Sequence, residues 1–245
     1  MNHNLLDGKV VLVTAAAGTG IGFATAKRCA EEGAQVVISD IHERRVNESA
    51  EELGVPGLLG NVTSEADVQR MIGDTVERFG RLDVLVNNAG LGGTARLDEM
   101  TDEQWSAVLD VTLTGTMRMT RAALKQMYMQ GRGAIVNNAS VVGWRAQEGQ
   151  AHYAAAKAGV MALTRCAAIE AAEHNVRVNA VAPSLAMHPH LAKVTTEELL
   201  AELETREAFG RAAAPAEVAN VIVFLASDLA SYMTGEVVSV SSQHP

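Results

Sequence analysis

Seven short runs of apolar, often β-branched residues alternate with longer segments of helical pattern, and this alternation constrains the fold most. The runs lie at 10–13, 35–39, 57–59, 84–86, 134–137, 176–180 and 237–240. The helical patterns lie at about 20–32, 42–53, 64–79, 101–130, 150–173, 195–209 and 215–226. Near-continuous apolar strands separated by helices indicate a parallel sheet covered on both faces. The sequence therefore predicts an α/β fold, with residues 1–245 forming one doubly wound domain around a seven-stranded parallel sheet.

Charge and cysteine content narrow the classes of function. The 245 residues include 20 Lys and Arg against 29 Asp and Glu, giving a formal net charge of −9. A negative surface repels phosphate backbones and anionic lipids, so we expect neither nucleic acid nor a membrane as partner. Cys29 and Cys166 have no metal-ligand spacing, so we expect no metal site and reduced thiols. No signal-peptide pattern is visible, and we expect a cytoplasmic protein.

A glycine-rich turn follows the first predicted strand. Residues 14–22 read TAAAGTGIG, beginning at Thr14, with Gly18, Gly20 and Gly22 spaced G-x-G-x-G around Ile21. Such a turn lets backbone N–H groups approach a pyrophosphate at a helix N-terminus, where the helix dipole favours negative charge. The spacing differs from the usual G-x-G-x-x-G, and by itself it fits an ordinary strand-to-helix turn equally well.

Asp40, at the end of the second predicted strand, gives the turn a nucleotide context. It lies twenty residues after Gly20, where an acidic residue can bind both hydroxyls of an adenosine ribose. Asp40 would repel a 2′-phosphate, and Ile41 follows it, so we expect no nearby arginine or lysine to hold that phosphate. The sequence therefore favours NAD over NADP, although an aspartate at a strand end can also be an ordinary turn residue.

Four further motifs follow in order: Asn87-Asn88-Ala89-Gly90, Ser140, Tyr153-Ala-Ala-Ala-Lys157, and VRVNAVAP ending at Pro183. With the glycine turn they make the chain resemble the classical short-chain dehydrogenase/reductase family over almost its whole length. The resemblance implies a Rossmann-type domain that transfers a hydride between NAD(H) and a secondary alcohol or ketone.

The residue types of the last motifs suit that chemistry. Tyr153 and Lys157 are four residues apart, so they project from the same face of a helix. A lysine ammonium near the phenol is expected to lower the tyrosine pKa, which lets Tyr153 exchange a proton with the substrate. Ser140 can hydrogen-bond the reacting oxygen. The resemblance also implies that Lys157 reaches the nicotinamide ribose. The alternative is an exposed tyrosine–lysine pair and a turn serine.

The resemblance implies further contacts to the cofactor. Asn61 and Val62 fall where the family has residues beside the adenine, and the residues after the fourth strand would line the adenosine ribose. The remaining expected cofactor residues are Thr14, Gly18, Gly20, Ile21, Gly22, Asn88, Ala89, Gly90, Tyr153, Lys157 and Pro183. For any one of them, packing within a sheet turn is the alternative.

Three departures from the family pattern stand out. The glycine turn is one residue longer, with Ala15 where a glycine is common. Thr112 replaces the asparagine that serves as a fourth catalytic residue, and it could either support a proton relay or hydrogen-bond back to its own helix. The usual PGxxxT segment reads PSLAMH, from Pro183 to His188, with Ser184 in place of the glycine.

Substrate specificity is expected from 91–96, 141–150 and a lid at about 184–214. These segments offer apolar side chains beside two histidines: Trp144, Leu185, Met187, His188, His190, Leu191 and Val194. Arg145, Lys193, Arg206 and Arg211 could meet a carboxylate or the phosphates of coenzyme A, or simply face solvent. The segments PSLAMHPHL and SVSSQHP resemble those of actinobacterial dehydrogenases of steroid-ring breakdown, which implies a bulky, hydrophobic acyl-CoA substrate.

Two other functions remain open at this stage. A 3-oxoacyl-thioester reductase would use the same residues in the reductive direction, but such reductases usually favour NADPH. A non-catalytic NAD(H)-binding sensor would have lost Tyr153 or Lys157, and both are present. The resemblance also implies a homotetramer, with the helix at 101–130 and the Tyr-Lys helix paired across subunits.

Overall fold

The computed structural model describes residues 3–187 and 197–243, and its strands form one sheet. The strands are β1 Val10–Thr14, β2 Gln35–Asp40, β3 Gly57–Leu59, β4 Val84–Asn87, β5 Gly133–Asn138, β6 Val176–Pro183 and β7 Val237–Val240. Their order is β3-β2-β1-β4-β5-β6-β7, and each neighbouring pair is parallel. The seven-stranded parallel sheet is confirmed at each predicted position.

Helices cover both faces of the sheet. They are α1 Ile21–Glu31, α2 Glu43–Leu53, α3 Glu65–Phe79, α4 Asp102–Leu109, α5 Gly115–Gln130, α6 Ala151–Ala171, α7 Glu197–Thr205 and α8 Pro215–Ala226. Alternate residues of β1 separate to the two sides: Val11 and Val13 pack with α1, α2 and α8, whereas Leu12 packs with α3, α5 and α6. The strands read as apolar throughout because both faces are buried. Within the described ranges, no helix is long and apolar enough to cross a membrane.

The helix predicted over 101–130 is interrupted. Thr101 caps α4 in a complete capping box with Gln104. A π-helical turn, Asp110–Thr114, then separates α4 from α5. The prediction of one uniform helix was wrong at this turn, because the hydrophobic pattern carries no signal for one extra residue per turn. Such turns are frequent at functional sites, and this one contains Thr112.

Buried asparagines join the sheet to two helices under the carboxyl edge. Asn87 of β4 and Asn137 of β5 are register partners, and Asn87 Nδ2 donates to Asn137 Oδ1 at 2.9 Å. Asn87 Nδ2 also donates to Thr120 of α5 at 3.0 Å, and Asn137 Nδ2 donates to Thr164 of α6 at 2.9 Å. These bonds fix α5 and α6 relative to the strands that carry the candidate site.

The strand order reverses direction between β1 and β4. β1 pairs with β2 on one side and with β4 on the other, so the connections leaving β1 and β4 diverge. A crevice therefore opens at their carboxyl ends, which is where ligands bind in open α/β sheets. The glycine turn after β1 and residues 88–90 after β4 border this crevice.

Candidate active site

Ser140, Tyr153 and Lys157 come together at the carboxyl end of β5. Ser140 precedes a 3₁₀ turn, Val141–Gly143, and its Oγ accepts from the Val142 N–H at 3.3 Å. This turn lies directly on α6, because a Cβ added to Gly143 would lie only 3.0 Å from the Ala158 nitrogen. Glycine therefore allows the Ser140 turn to approach the helix that carries Tyr153 and Lys157. The three predicted catalytic residues are adjacent in space.

Lys157 is buried in this cluster. Its side chain is 3% exposed, and its Nζ donates a hydrogen bond to the Asn138 carbonyl oxygen at 2.5 Å. Nζ lies 5.5 Å from the centre of the Tyr153 ring. Burial lowers the pKa of Lys157 from 10.5 to about 8, because the charged form has lost its water. The lysine is still protonated at neutral pH.

Tyr153 does not have the lowered pKa that the sequence predicted. Burial raises the pKa of its phenol from 10 to about 12, and a hydrogen bond with Ser140 offsets this only in part. The predicted lowering was wrong, because the loss of solvent around the phenol outweighs its hydrogen bond with Ser140. The phenol is therefore neutral at pH 7 and can donate a proton.

Thr112 is fully buried and faces the same cluster. Its hydroxyl accepts from the Leu91 N–H at 3.0 Å and donates to the Leu91 carbonyl at 3.2 Å. It does not bond back to its own helix. Gly90 lies between the two side chains, since a Cβ there would be 3.5 Å from Lys157 Nζ and 3.8 Å from Thr112 Oγ1. Thr112 thus ties the turn after β4 to the π-helical turn.

The glycine turn fits the pyrophosphate of a nicotinamide dinucleotide. Gly18 has φ +92°, a conformation that favours glycine. A Cβ added at Gly18 or Gly20 would have none of the surrounding heavy atoms within 4 Å. α1 has no side-chain cap at Gly20 and no acidic residue in its first turn. Its first N–H groups, including that of Ile21, are therefore available to an anion.

Thr14 and Asn88 use their side chains within the protein. Thr14 Oγ1 accepts from the backbone N–H groups of Asn88 and Ala89 at 3.0 and 3.1 Å. Asn88 Nδ2 donates to the carbonyls of Thr14 and Ala15 at 3.2 and 3.0 Å. A Cβ on Gly22 would lie 2.5 Å from both Ala15 O and Asn88 Nδ2. These contacts hold the glycine turn against the residues after β4.

Asp40 is the last residue of β2, and its surroundings differ from the expectation. It is 7% exposed and accepts from the His42 N–H at 3.0 Å. Burial raises its pKa, and the Arg45 guanidinium opposes this rise. Arg45 Nη2 lies 3.7 Å from Asp40 Oδ1, so the prediction of no nearby basic residue was wrong. The first turn of α2 brings position 45 back toward the strand end.

Asn61 and Val62 follow β3. Asn61 Oδ1 accepts from the Thr63 N–H at 3.0 Å, so an adenine would meet the amide nitrogen. Val62 is buried and packs tightly against Gly115, where a Cβ would lie 2.6 Å from Val62 Cγ2. Both residues lie just beyond the carboxyl end of β3.

Two predicted substrate segments form one wall. The Ala95 N–H donates to Gly149 O at 3.0 Å, and Gln150 Nε2 donates to Gly93 O at 2.8 Å. Trp144 presents apolar surface beside them, being 49% exposed. Gln150 could not be identified from the sequence as the residue that joins them, because a glutamine before a helix carries no signal for a partner in a remote loop.

The predicted cations are mostly neutralised within the described ranges. Arg206 pairs with Glu202 at 2.5 Å and Arg211 with Glu217 at 2.8 Å, while Arg145 donates to Gln243 Oε1 at 2.5 Å. Leu185 and Met187 are half-buried after β6. The remaining predicted lid residues, His188, His190, Leu191, Lys193 and Val194, lie outside the described residues.

A parallel sheet with a glycine turn at its switch point and a Ser-Tyr-Lys cluster beside it defines a class of oxidoreductases. A family model described as Enoyl-(Acyl carrier protein) reductase matches residues 15–242. The chain belongs to the classical short-chain dehydrogenase/reductase family, and it is an oxidoreductase.

Individual relatives match over nearly the full chain. A Mycobacterium tuberculosis protein is 63% identical over 99% of this chain and 95% of its own length, and is named (5R,7aS)-5-hydroxy-7a-methyl-1-oxo-2,3,5,6,7,7a-hexahydro-1H-indene-carboxyl-CoA reductase. A 3-oxoacyl-(acyl-carrier-protein) reductase of Thermotoga maritima is 42% identical over 96% of this chain and 97% of its own. A crystal structure of a short chain dehydrogenase from Mycobacterium smegmatis superposes with TM-score 0.89 at 58% identity, covering 100% of this chain and 96% of that one.

The burial of Lys157 predicts a pH-dependent cost to stability. Between pH 8 and 10.5 the folded protein holds fewer protons than the unfolded chain, so this group makes the free energy of unfolding rise with pH. Below pH 8 the cost of burying the ammonium is present in full. We expect Lys157→Met to raise the free energy of unfolding at pH 7 by on the order of 1–2 kcal/mol, after the lost bond to Asn138 is subtracted. This increase in the free energy of unfolding should be smaller at pH 9.5, because the buried lysine is then largely neutral and costs less to bury.

Urea unfolding of the cofactor-free protein at both pH values, at one protein concentration, measures this difference. Lys125→Met is the matched control, because Lys125 lies exposed on α5 and its removal should change stability little at either pH. A destabilised Lys157→Met protein at pH 7, or a gain independent of pH, would contradict the assignment.

Proposed function

We propose that the chain is an NAD-dependent dehydrogenase or ketoreductase acting on a secondary alcohol or ketone of a bulky, hydrophobic acyl-CoA, in steroid or lipid metabolism. The observation that carries this proposal is the grouping of Ser140, Tyr153 and Lys157 beside a crevice whose other end holds Asp40. Residues 1–245 would form one domain, with a substrate lid at about 184–214.

The protein's own groups suit proton transfer to and from the substrate. NADH, when bound along the crevice, supplies the hydride. Tyr153, neutral at pH 7 because its pKa is raised to about 12, donates the proton to the reacting oxygen. Ser140 donates a hydrogen bond to the same oxygen and stabilises its developing charge. The Lys157 ammonium lies behind the phenol and stabilises the phenolate that remains.

The substrate class rests on the relatives and on the apolar surface near Ser140. The relative that is 63% identical is named as a reductase of a bicyclic ring compound bearing a carboxyl-CoA group. Half-exposed apolar side chains follow the carboxyl ends of β4, β5 and β6 in this chain, namely Leu91, Trp144, Leu185 and Met187. These residues suit a ring system better than a short polar chain.

A 3-oxoacyl-thioester reductase is the second candidate. It is favoured by the 42% identity to a reductase of 3-oxoacyl-(acyl-carrier-protein). Asp40 argues against the NADPH that such reductases usually take, because its carboxylate would repel the 2′-phosphate. The presence of both Tyr153 and Lys157 argues against a non-catalytic sensor.

We also propose a cytoplasmic homotetramer. Two helices that the family pairs across subunits carry exposed apolar side chains: Trp105 on α4, and Ile169 on α6, which is 80% exposed. Cys29 and Cys166 are free thiols, which suits a reducing compartment.

The substrate proposal predicts that the enzyme prefers a ring-containing acyl-CoA to a straight-chain one. With NADH, the reduction of a bicyclic oxo-indene carboxyl-CoA should show kcat/KM at least about tenfold above that for acetoacetyl-CoA, because apolar contacts discriminate by that order.

Tyr153→Phe should reduce turnover by at least ~10²-fold while NADH binding, followed by its fluorescence, stays near wild type. Preference for the straight-chain thioester would instead establish the second candidate, and an active phenylalanine variant would overturn the mechanism.

The cofactor proposal predicts that Asp40 excludes NADPH. The unmodified enzyme should have the higher kcat/KM with NADH. Asp40→Ala should reduce the preference for NADH over NADPH by about tenfold. It removes the repulsion between the carboxylate and a 2′-phosphate, and it frees Arg45 to bind that phosphate. Adding Ile41→Arg should narrow it further, and Arg45→Ala in the Asp40→Ala background should remove the gain. Equal or better kinetics with NADPH in the unmodified enzyme would refute the proposal.

Thr112 is proposed as a positioning residue for proton transfer. Thr112→Val leaves both Leu91 backbone groups without their partner, so Gly90 should shift relative to Lys157. We expect kcat to fall about tenfold with little change in KM, whereas Thr112→Ser and Thr112→Asn should retain activity. Steady-state kinetics across pH checks this, and an unchanged kcat and pH profile in Thr112→Val would show that the proton moves independently of Thr112.

A further inference from the structure

A buried carboxylate ties three separate segments together on the outer side of the active site. Glu207, just after α7, is 4% exposed. It accepts hydrogen bonds from Ser184 Oγ at 3.0 Å, Leu185 N at 3.3 Å and Ser242 Oγ at 2.9 Å. Ser184 and Leu185 follow β6, whereas Ser242 follows β7. We refer to Ser184, Glu207 and Ser242 as the Glu207 cluster.

Backbone contacts reinforce the cluster. Glu207 and Gln243 form an isolated antiparallel bridge, and the Ala208 N–H donates to Ser242 O at 2.6 Å. Gln243 in turn accepts from Arg145 Nη1 at 2.5 Å, and the Arg145 N–H donates to the carbonyl of Val141 in the Ser140 turn at 3.0 Å. The segment after α7, the C-terminal segment and the Ser140 turn are therefore connected.

The cluster reaches the active site through Pro183, the last residue of β6. Ser140 Oγ makes a long hydrogen-bond contact of 3.5 Å, as donor, with the Pro183 carbonyl oxygen. Ser184 is the residue after Pro183. The end of β6 therefore lies beside Ser140, and Glu207 fixes the residue that follows it, Ser184. Ser184 occupies the position where the family pattern has a glycine, which has no hydroxyl to donate.

We propose that Glu207 is a positioning residue for the nicotinamide end of the cofactor, acting through Ser184 to fix Pro183. The inference rests on the proposed function and on the contact between Pro183 and the cofactor that the family resemblance implies. The adenosine end lies at Asp40 on β2, whereas β6 lies on the opposite side of the switch point. Loss of Glu207 should therefore affect the nicotinamide end alone.

The chemistry of the cluster allows a conservative replacement. All three donors to Glu207 are neutral groups, and hydroxyls can also accept, so a glutamine amide can replace the carboxylate. A cavity of about 150 Å³ borders Ser184, Glu207 and Ser242. In Glu207→Ala, water can therefore enter and satisfy the released groups, and we expect that variant to fold.

Two ligands distinguish local positioning from general damage. NADH carries both ends of the cofactor, whereas ADP-ribose lacks the nicotinamide. Calorimetric titration of Glu207→Ala should give a Kd for NADH raised about fivefold or more, with the Kd for ADP-ribose within about twofold of wild type. Glu207→Gln should restore NADH binding, and Ser184→Ala should show part of the loss. If the enzyme takes NADPH, NADPH and 2′-phospho-ADP-ribose replace the two ligands.

Glu217→Ala is the matched control. Glu217 borders the same cavity and is also hydrogen-bonded, to Arg211 and to the Ala214 N–H at 2.8 Å each. It has no bond to the end of β6, so both dissociation constants should stay unchanged. Equal weakening of both ligands in Glu207→Ala, or no weakening of NADH, would overturn the inference. Wild-type protein that binds no nicotinamide nucleotide would instead refute the proposed function itself.

Discussion

The hydrogen bond between Asn87 and Asn137 is the interaction on which the candidate site depends most. The two side chains are register partners on β4 and β5, and through Thr120 and Thr164 they also hold α5 and α6. Unpaired amides in this interior would each cost about 1–3 kcal/mol, so the network favours a single alignment of strands and helices. The residue after each asparagine continues the site: Asn88 leads to Gly90 at the crevice, and Asn138 provides the carbonyl that holds Lys157.

The crevice depends on two positions that have no room for a side chain and are occupied by glycine. A Cβ on Gly22 would collide with Ala15 and Asn88, and one on Gly143 would collide with α6. Those two glycines let the turn after β1 approach the residues after β4, and let the Ser140 turn approach Lys157. Ala15 shows the opposite case, because it has φ +49°, a left-handed conformation that costs a non-glycine residue roughly 1–2 kcal/mol. The hydrogen bonds that Asn88 Nδ2 donates to the Thr14 and Ala15 carbonyls offset part of that cost.

The strands follow from the sequence because they depend on local apolar pattern, and the Ser140–Tyr153–Lys157 grouping was expected from the family resemblance. Apolar runs identify the strands, and the carboxyl ends of parallel strands meet at one edge. The π-helical turn at Thr112, the approach of Arg45 to Asp40 and the Glu207 cluster depend on contacts between remote segments, and no periodicity encodes those contacts. The pKa of Tyr153 was predicted in the wrong direction because charge proximity is visible in an i, i+4 spacing, whereas the depth of burial is not.

Burial shifts the pKa values of Tyr153 and Lys157 in opposite directions, and both groups keep their ordinary protonation at pH 7. Loss of solvent disfavours a phenolate and an ammonium alike, so the tyrosine pKa rises to about 12 and the lysine pKa falls to about 8. At pH 7 the cofactor-free site is therefore a neutral phenol beside a cationic amine. That state can donate a proton to a developing alkoxide, which is the requirement of ketone reduction. Alcohol oxidation requires the phenol to lose its proton first, and burial opposes this loss. The form present at pH 7 is therefore the one that ketone reduction uses, and a rise in pH increases the fraction of phenolate that alcohol oxidation uses.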